Sequence, residues 1–151
     1  MHLILWRHAE ANDSRPDLER ELTREGHKQA SKMAAWVKKQ LPAHVRVISS
    51  PAARAIQTAS ALTDKFDVVS SVAPGASNTA VLNAAGWPNE RGAVVVVGHQ
   101  PTLGEVAALL ITGKPQPWSI KKGAIWWITN RVREGQAQVV LRAVMSPEML
   151  E

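Results

Sequence analysis

Apolar positions in this 151-residue chain fall into two kinds of run, and the difference between them lays out its elements. Leu3-Ile4-Leu5-Trp6 and Ala93 to Val97 are unbroken, the pattern of short strands buried on both faces of a sheet. Val45-Arg46-Val47-Ile48 reads as a further strand and Asp67 to Val72 as a weaker one. Between them apolar residues recur at helical spacing, at Ala30, Met33, Ala34, Val37 and Leu41, at Ala55, Ile56, Ala59 and Leu62, and at Leu103, Val106, Ala107 and Leu110. The punctuation agrees. Thr23 is a natural N-cap for the first helix and Pro42 stops it, while Ser50 and Pro51 predict the start of the second. Gly86 and Pro88 close a small-residue helix through Val81, Ala84 and Ala85. The polar segment Asn12 to Leu22, with Pro16, reads as a loop. Ala124 to Thr129 and Gln138 to Leu141 read as two strands around a turn at Glu134-Gly135, an antiparallel edge. Strands alternating with helices predict a three-layer α/β/α sandwich with a mostly parallel sheet, in one domain over 1–151.

Composition narrows what such a domain can do. A chain of this length buries roughly 70% of its unfolded surface, so its core needs no clip or partner. It has no cysteine, which removes thiolate nucleophiles, iron–sulfur clusters and Cys-based zinc sites. No stretch approaches the ~20 apolar residues of a membrane span, and the N-terminus starts directly on strand residues without a basic leader. A cytoplasmic monomer is expected. The net charge of +5 and pI near 10.0 favour anionic partners. Those charges are spread along the chain and interleaved with acids, and one Phe with no Tyr leaves few stacking platforms. Nucleic acid is therefore not expected; solvated helix faces account for most of the charge, and a phosphorylated substrate for the remainder.

The chemistry-bearing residues sit where strands stop. Arg7-His8-Ala9-Glu10 ends the first strand, Ser49-Ser50-Pro51 leads into a helix carrying Arg54, and Gly98-His99 follows the long buried strand. In open α/β sheets ligands bind outside the carboxyl ends of the strands. If these three strands are parallel and adjacent, Arg7, His8, Arg54 and His99 converge on one pocket. Helix N-termini at Ser50 and Pro101 would add N–H donors suited to an anion. His8-Ala9-Glu10 also matches half of a zinc deaminase signature, but the Cys-rich half is absent. His2, His27 and His44 have no motif around them and are expected to face solvent. Most of the tryptophans are expected in the core and the edge hairpin.

Four segments, in this order, resemble the histidine phosphatase superfamily, also called phosphoglycerate mutase-like. Arg7-His8-Ala9-Glu10-Ala11 resembles its Arg-His-Gly signature, with Ala9 where glycine is usual. Leu22-Thr23-Arg24-Glu25-Gly26-His27-Lys28-Gln29-Ala30 is similar to its Leu-Thr-x-x-Gly-x-x-Gln-Ala segment, and Ser49-Ser50-Pro51-Ala52-Ala53-Arg54-Ala55-Ile56-Gln57-Thr58-Ala59 to its Ser-Ser-Pro-x-x-Arg-Ala-x-Gln-Thr-Ala segment. Val97-Gly98-His99-Gln100-Pro101 matches its second histidine motif. The short length and the ending Val144-Met145-Ser146-Pro147 look most like the small phosphohistidine phosphatases of the SixA type.

The resemblance implies that His8 is a nucleophile forming a covalent phosphoryl intermediate, its ring held neutral at the reacting nitrogen by a backbone carbonyl on the other. It implies that Arg7 and Arg54 clamp phosphoryl oxygens and that a protonated His99 donates a further bond, with no metal or cofactor. Glu10 is left between anchoring its turn, orienting an arginine and acting as general acid. Between Asp67 and Glu90 there is no Asp or Glu, where superfamily members that cleave phosphoesters place an acid for the leaving oxygen. That gap favours a phosphohistidine-bearing protein as substrate, and no insertion is long enough to lid the site. The alternatives are a phosphatase for small or aryl phosphoesters, and a phosphate- or phosphoprotein-binding module without turnover.

Overall fold

The computed structural model describes residues 1–151. Six strands form one sheet: β1 (His2–Arg7), β2 (Val45–Ser49), β3 (Asp67–Val68), β4 (Ala93–Gly98), β5 (Ile125–Arg133) and β6 (Gln136–Met145). Their order is β3-β2-β4-β1-β5-β6, with β1 to β4 parallel and β5 and β6 antiparallel at one side. Helices α1 (Arg24–Lys38), α2 (Ala53–Leu62), α3 (Asn78–Ala85) and α4 (Thr102–Thr112) cover both faces, giving the three-layer α/β sandwich with a mostly parallel sheet that the alternation predicts.

The unbroken apolar strands are explained by what each face meets. Leu3 and Leu5 of β1 and Val94 and Val96 of β4 pack with Val81, Ala85, Leu103, Val106 and Ala107 of α3 and α4. Ile4, Trp6, Val95 and Val97, pointing the other way, pack with Met33, Val37, Ala55 and Ala59 of α1 and α2. Alternate side chains thus serve two cores, so the buried stretches Leu3 to Trp6 and Ala93 to Val97 admit no polar residue.

Several boundaries differ from expectation for local reasons. α2 starts at Ala53, past Ser50 and Pro51, because Ser50 Oγ is committed to the preceding turn, accepting from Ala52 N at 3.1 Å. Only Asp67 and Val68 pair as β3: β2 ends at Ser49, and Ser70–Val72 turns into a 3-10 helix. α1 stops at Lys38, ahead of Pro42. The segment Asn12 to Leu22 contains a 3-10 turn at Asp17–Glu19 and a bridge between Ala11 and Leu22. The β5–β6 hairpin runs further than its apolar pattern, since its outer half is solvated on both faces and leaves no period to read.

Trp6 and Trp127 are buried in the core, whereas Trp87, Trp118 and Trp126 are half-buried against it. His27 and His44 face solvent. His2 does not: it is half-buried, and its Nδ1 accepts from Trp127 Nε1 at 3.0 Å. No helix is long and apolar enough to cross a membrane.

Candidate active site

Because β2, β4 and β1 are neighbours, their carboxyl ends stand side by side. Arg7 is opposite Gly98, and Ser49 opposite Val97. The chain continues the ladder for one step beyond the strands, with His8 N donating to Gly98 O at 3.1 Å and Ser50 N to Val97 O at 3.0 Å. His8, Ser50 and His99 therefore leave the sheet together. The His8 and His99 rings have centroids 5.2 Å apart, and His99 Nε2 lies 2.7 Å from Ser50 Oγ. Arg54, on the first turn of α2, is only 4% exposed. Arg7, His8, Arg54 and His99 are thus brought to one site at the carboxyl ends of these strands.

The His8 ring has a fixed sense. Its Nδ1 is 2.7 Å from Ala9 O, and a carbonyl can only accept, so Nδ1 carries the hydrogen and Nε2 keeps its lone pair. Burial drives the ring down to about 4 from the ordinary 6.5; the Ala9 bond opposes this, and the charges of Arg54, Arg7 and Arg20 add to it. His99 is pushed down to about 3, by burial first and then by His8 and Arg54. Two arginines nearby make a third cation unfavourable, so the proton expected on His99 beside a bound anion depends on the charge that the anion brings.

These two rings carry a consequence for acid stability. Both are neutral in the folded chain and free to protonate at 6.5 once it unfolds, so their contribution is full above about pH 6.5 and is lost as pH falls toward 4 and 3. The thermal midpoint is expected to drop across that window, and to drop less in His99→Asn. An equal drop in both proteins would assign the effect to other groups.

Both arginines are anchored on one side and open on the other. Arg7 Nη1 donates to Ile120 O at 2.9 Å, and Arg54 Nη1 to Asp17 O at 2.8 Å, yet the buried Nε of each has no partner. Buried guanidinium N–H groups without acceptors are costly unless something fills the place. What they require is an anion with several acceptor oxygens.

Glu10 is elsewhere. Its Oε1 accepts from Thr23 Oγ1 at 2.7 Å, while the same hydroxyl accepts from Gly26 N at 2.9 Å to cap α1. Its backbone N donates to Gln29 Oε1 at 3.0 Å. The residue ties the turn after β1 to the start of α1. Ala9 is fully buried against Leu22 and Ala30, and its φ is not positive, so this turn does not depend on glycine.

Matches among known proteins agree with this arrangement. The family model of the histidine phosphatase superfamily (branch 1) matches residues 3–90. The chain belongs to that superfamily. Its fold is similar to that of the protein histidine phosphatase SixA complexed with tungstate, at 28% identity and a TM-score of 0.82 over 100% of both chains. It is also similar to a SixA from Nakamurella multipartitia, at 25% identity and a TM-score of 0.80, covering 97% of this chain and 95% of that one. A phosphoserine phosphatase mutant from Entamoeba histolytica in complex with phosphoserine shares the fold at 20% identity, with a TM-score of 0.71 over 99% of each chain. A search of curated protein sequences finds no significant match.

Within this histidine phosphatase fold the remaining motif residues hold the site from behind. Gln57 Oε1 accepts from Leu22 N at 2.7 Å, and Thr58 Oγ1 accepts from Ala9 N at 3.1 Å while donating to Arg54 O at 2.8 Å. Ser50, Asp17 and the Ile120 carbonyl complete the surroundings. Pattern reading misses the last two, since they come from a loop without a period and from a contact 113 residues distant from Arg7.

Proposed function

We propose that the chain is a metal-independent phosphatase that removes phosphoryl groups from phosphohistidine in proteins through a covalent intermediate on His8. The observation that carries the reading is the pair of buried, unpartnered Nε groups on Arg7 and Arg54 beside a histidine whose lone pair is fixed on Nε2. In this reading His8 Nε2 attacks phosphorus in line with the leaving group. The Nδ1–H···O bond to Ala9 then supports the cationic ring that forms. Arg7 and Arg54 take equatorial oxygens with their open edges, and His99 donates once the dianion has raised it. These three donors supply the charge that a metal ion would otherwise bring. In the second step water attacks phosphorus and the electron pair of the P–N bond returns to His8.

Two features favour phosphohistidine over an alkyl phosphoester. The segment between β3 and α3 carries no carboxyl group, so an alkoxide would leave unaided, at a loss that general acid catalysis typically makes good by 10²- to 10⁴-fold. A phosphoimidazole protonated on its other ring nitrogen instead leaves as neutral imidazole, the P–N electron pair returning to the ring. The mouth is also bordered by the exposed segment 12–19 rather than by a lid, which leaves room for a protein. Its similarity to SixA, itself described as a protein histidine phosphatase, supports the same reading.

The test is release of phosphate from a phosphohistidine-bearing protein and, separately, from p-nitrophenyl phosphate, each with EDTA. Rapid EDTA-insensitive loss from histidine is expected. Turnover of the ester alone would replace this reading with a small-molecule phosphatase, and binding of phosphate without turnover of either would replace it with a binding module.

A further inference from the structure

One carboxylate stands at the mouth of the pocket with no part in the scheme above. Asp17 lies on the 3-10 turn of the loop after β1, with its side chain 59% exposed. Its Oδ2 accepts from Arg54 Nη2 at 3.2 Å and its backbone carbonyl from Arg54 Nη1 at 2.8 Å. On the other side its Oδ1 accepts from Arg20 Nη1 at 3.2 Å, and Arg20 Nε donates to Asn12 O at 2.7 Å. The carboxylate is therefore fixed between a buried guanidinium and a half-exposed one. Slight burial works to raise the group, but hydrogen bonds from Arg20 and Arg54, together with their charges, outweigh it and hold the carboxyl below its usual range. It stays ionised at neutral pH and so cannot serve as the missing general acid. Its charge reaches inside the pocket, where it opposes the lowering of His99.

We propose that Asp17 is a specificity-determining residue: held between Arg20 and Arg54 at the mouth, its carboxylate selects substrates by the charge of the group that carries the phosphoryl, favouring a phosphoimidazolium and disfavouring phosphoesters with a neighbouring carboxylate. The proposal rests on the phosphoryl-pocket reading and adds to it the sign of the leaving group. Without Asp17, Arg20 would be an unpaired cation ready to receive the carboxylate of a phosphorylated acid. With it, Arg20 is paired and the mouth carries one positive charge fewer. A protonated phosphoimidazole is repelled less, and a second carboxylate is attracted less, than either would be without Asp17. For charges several ångströms apart in a solvated mouth the discrimination is roughly 3- to 10-fold per charge, and it shrinks with added salt.

The experiment compares wild type with Asp17→Asn, which keeps one side-chain acceptor and the backbone carbonyl for Arg54 and removes the charge together with the second acceptor. Values of kcat/KM are measured for phosphohistidine and 3-phosphoglycerate, each as a ratio to p-nitrophenyl phosphate, in low and high salt. Dissociation constants of inorganic phosphate and 3-phosphoglycerate are measured by calorimetry alongside. In Asp17→Asn the phosphohistidine ratio is expected to fall and the 3-phosphoglycerate ratio to rise, each about 3- to 10-fold at low salt, with 3-phosphoglycerate tightening relative to phosphate. Ratios that stay fixed while all rates fall together would overturn the proposal and leave Asp17 as a tether for Arg54. A wild-type protein that neither binds phosphate nor turns over any of the three would overturn the phosphoryl-pocket reading and this proposal with it.

Discussion

Replacing His8 with alanine is expected to lower phosphohistidine turnover by at least about 10³-fold, the scale on which removal of a covalent nucleophile acts. The structure makes the expectation sharp because no neighbour can take over. His99 is the other imidazole in the pocket, but its Nε2 is spent on Ser50 Oγ at 2.7 Å, and Ser50 is bound in turn to the Ala52 N–H. Binding should outlast catalysis, since Arg7 keeps its anchor on Ile120 O and Arg54 its anchor on Asp17. His8→Ala is thus expected to retain affinity for inorganic phosphate within a few-fold of wild type while losing turnover. Quenched wild type should carry an acid-labile, alkali-stable phosphoryl group, and His8→Ala none. Residual turnover above a hundredth of wild type would remove His8 from the nucleophile's role. Because burial puts the His8 ring near 4, activity should hold well below neutral pH and fail only as that value is approached.

The second large effect lies outside the pocket, at Gly104 in the first turn of α4. A methyl there would meet the carbonyl of Trp118, whose oxygen also accepts from Gln100 Nε2 at 2.8 Å. In an exposed helix, glycine to alanine stabilises by about 1 kcal/mol. Here the sign is expected to reverse, with Gly104→Ala destabilising by about 2–3 kcal/mol in urea unfolding, because packed backbone must move to admit the methyl. The same displacement reaches Ile120, two residues beyond Trp118, and so loosens Arg7; phosphate affinity should fall along with stability. A gain in stability would mean that the 114–120 loop yields freely and does not fix Arg7.

How much of this was legible beforehand divides along physical lines. Strands β1 and β4 declare themselves because both faces are buried, and the polar residues at their ends follow from where the apolar run stops. Parallel adjacency of β1, β4 and β2 then brings Arg7, His8, Arg54 and His99 together, as the positions predict. Less legible are features fixed by long-range contacts. Asp17 sits in a segment without period, and nothing local says that its carboxylate meets an arginine 37 residues on. Glu10 stands beside the key histidine in sequence, yet the turn swings it away to cap α1 through Thr23. Neutrality of His99 is likewise a property of the assembled pocket, set by burial and by neighbours from other strands.

The hairpin at the sheet's antiparallel side offers a practical handle. β5 leaves the pocket end at Ile125 and runs back past the start of β1, where His2 pairs with Thr129, so the Glu134-Gly135 turn projects from the opposite end of the molecule. Residues 131–139 are solvent-exposed throughout, and both turn residues have positive φ, the geometry of a tight two-residue connection. An affinity peptide or fluorophore spliced in at this tip would be tethered by two strands rather than by a chain end. It would present every immobilised molecule with its reactive mouth turned toward solution, ready for partners too large to reach a randomly oriented surface.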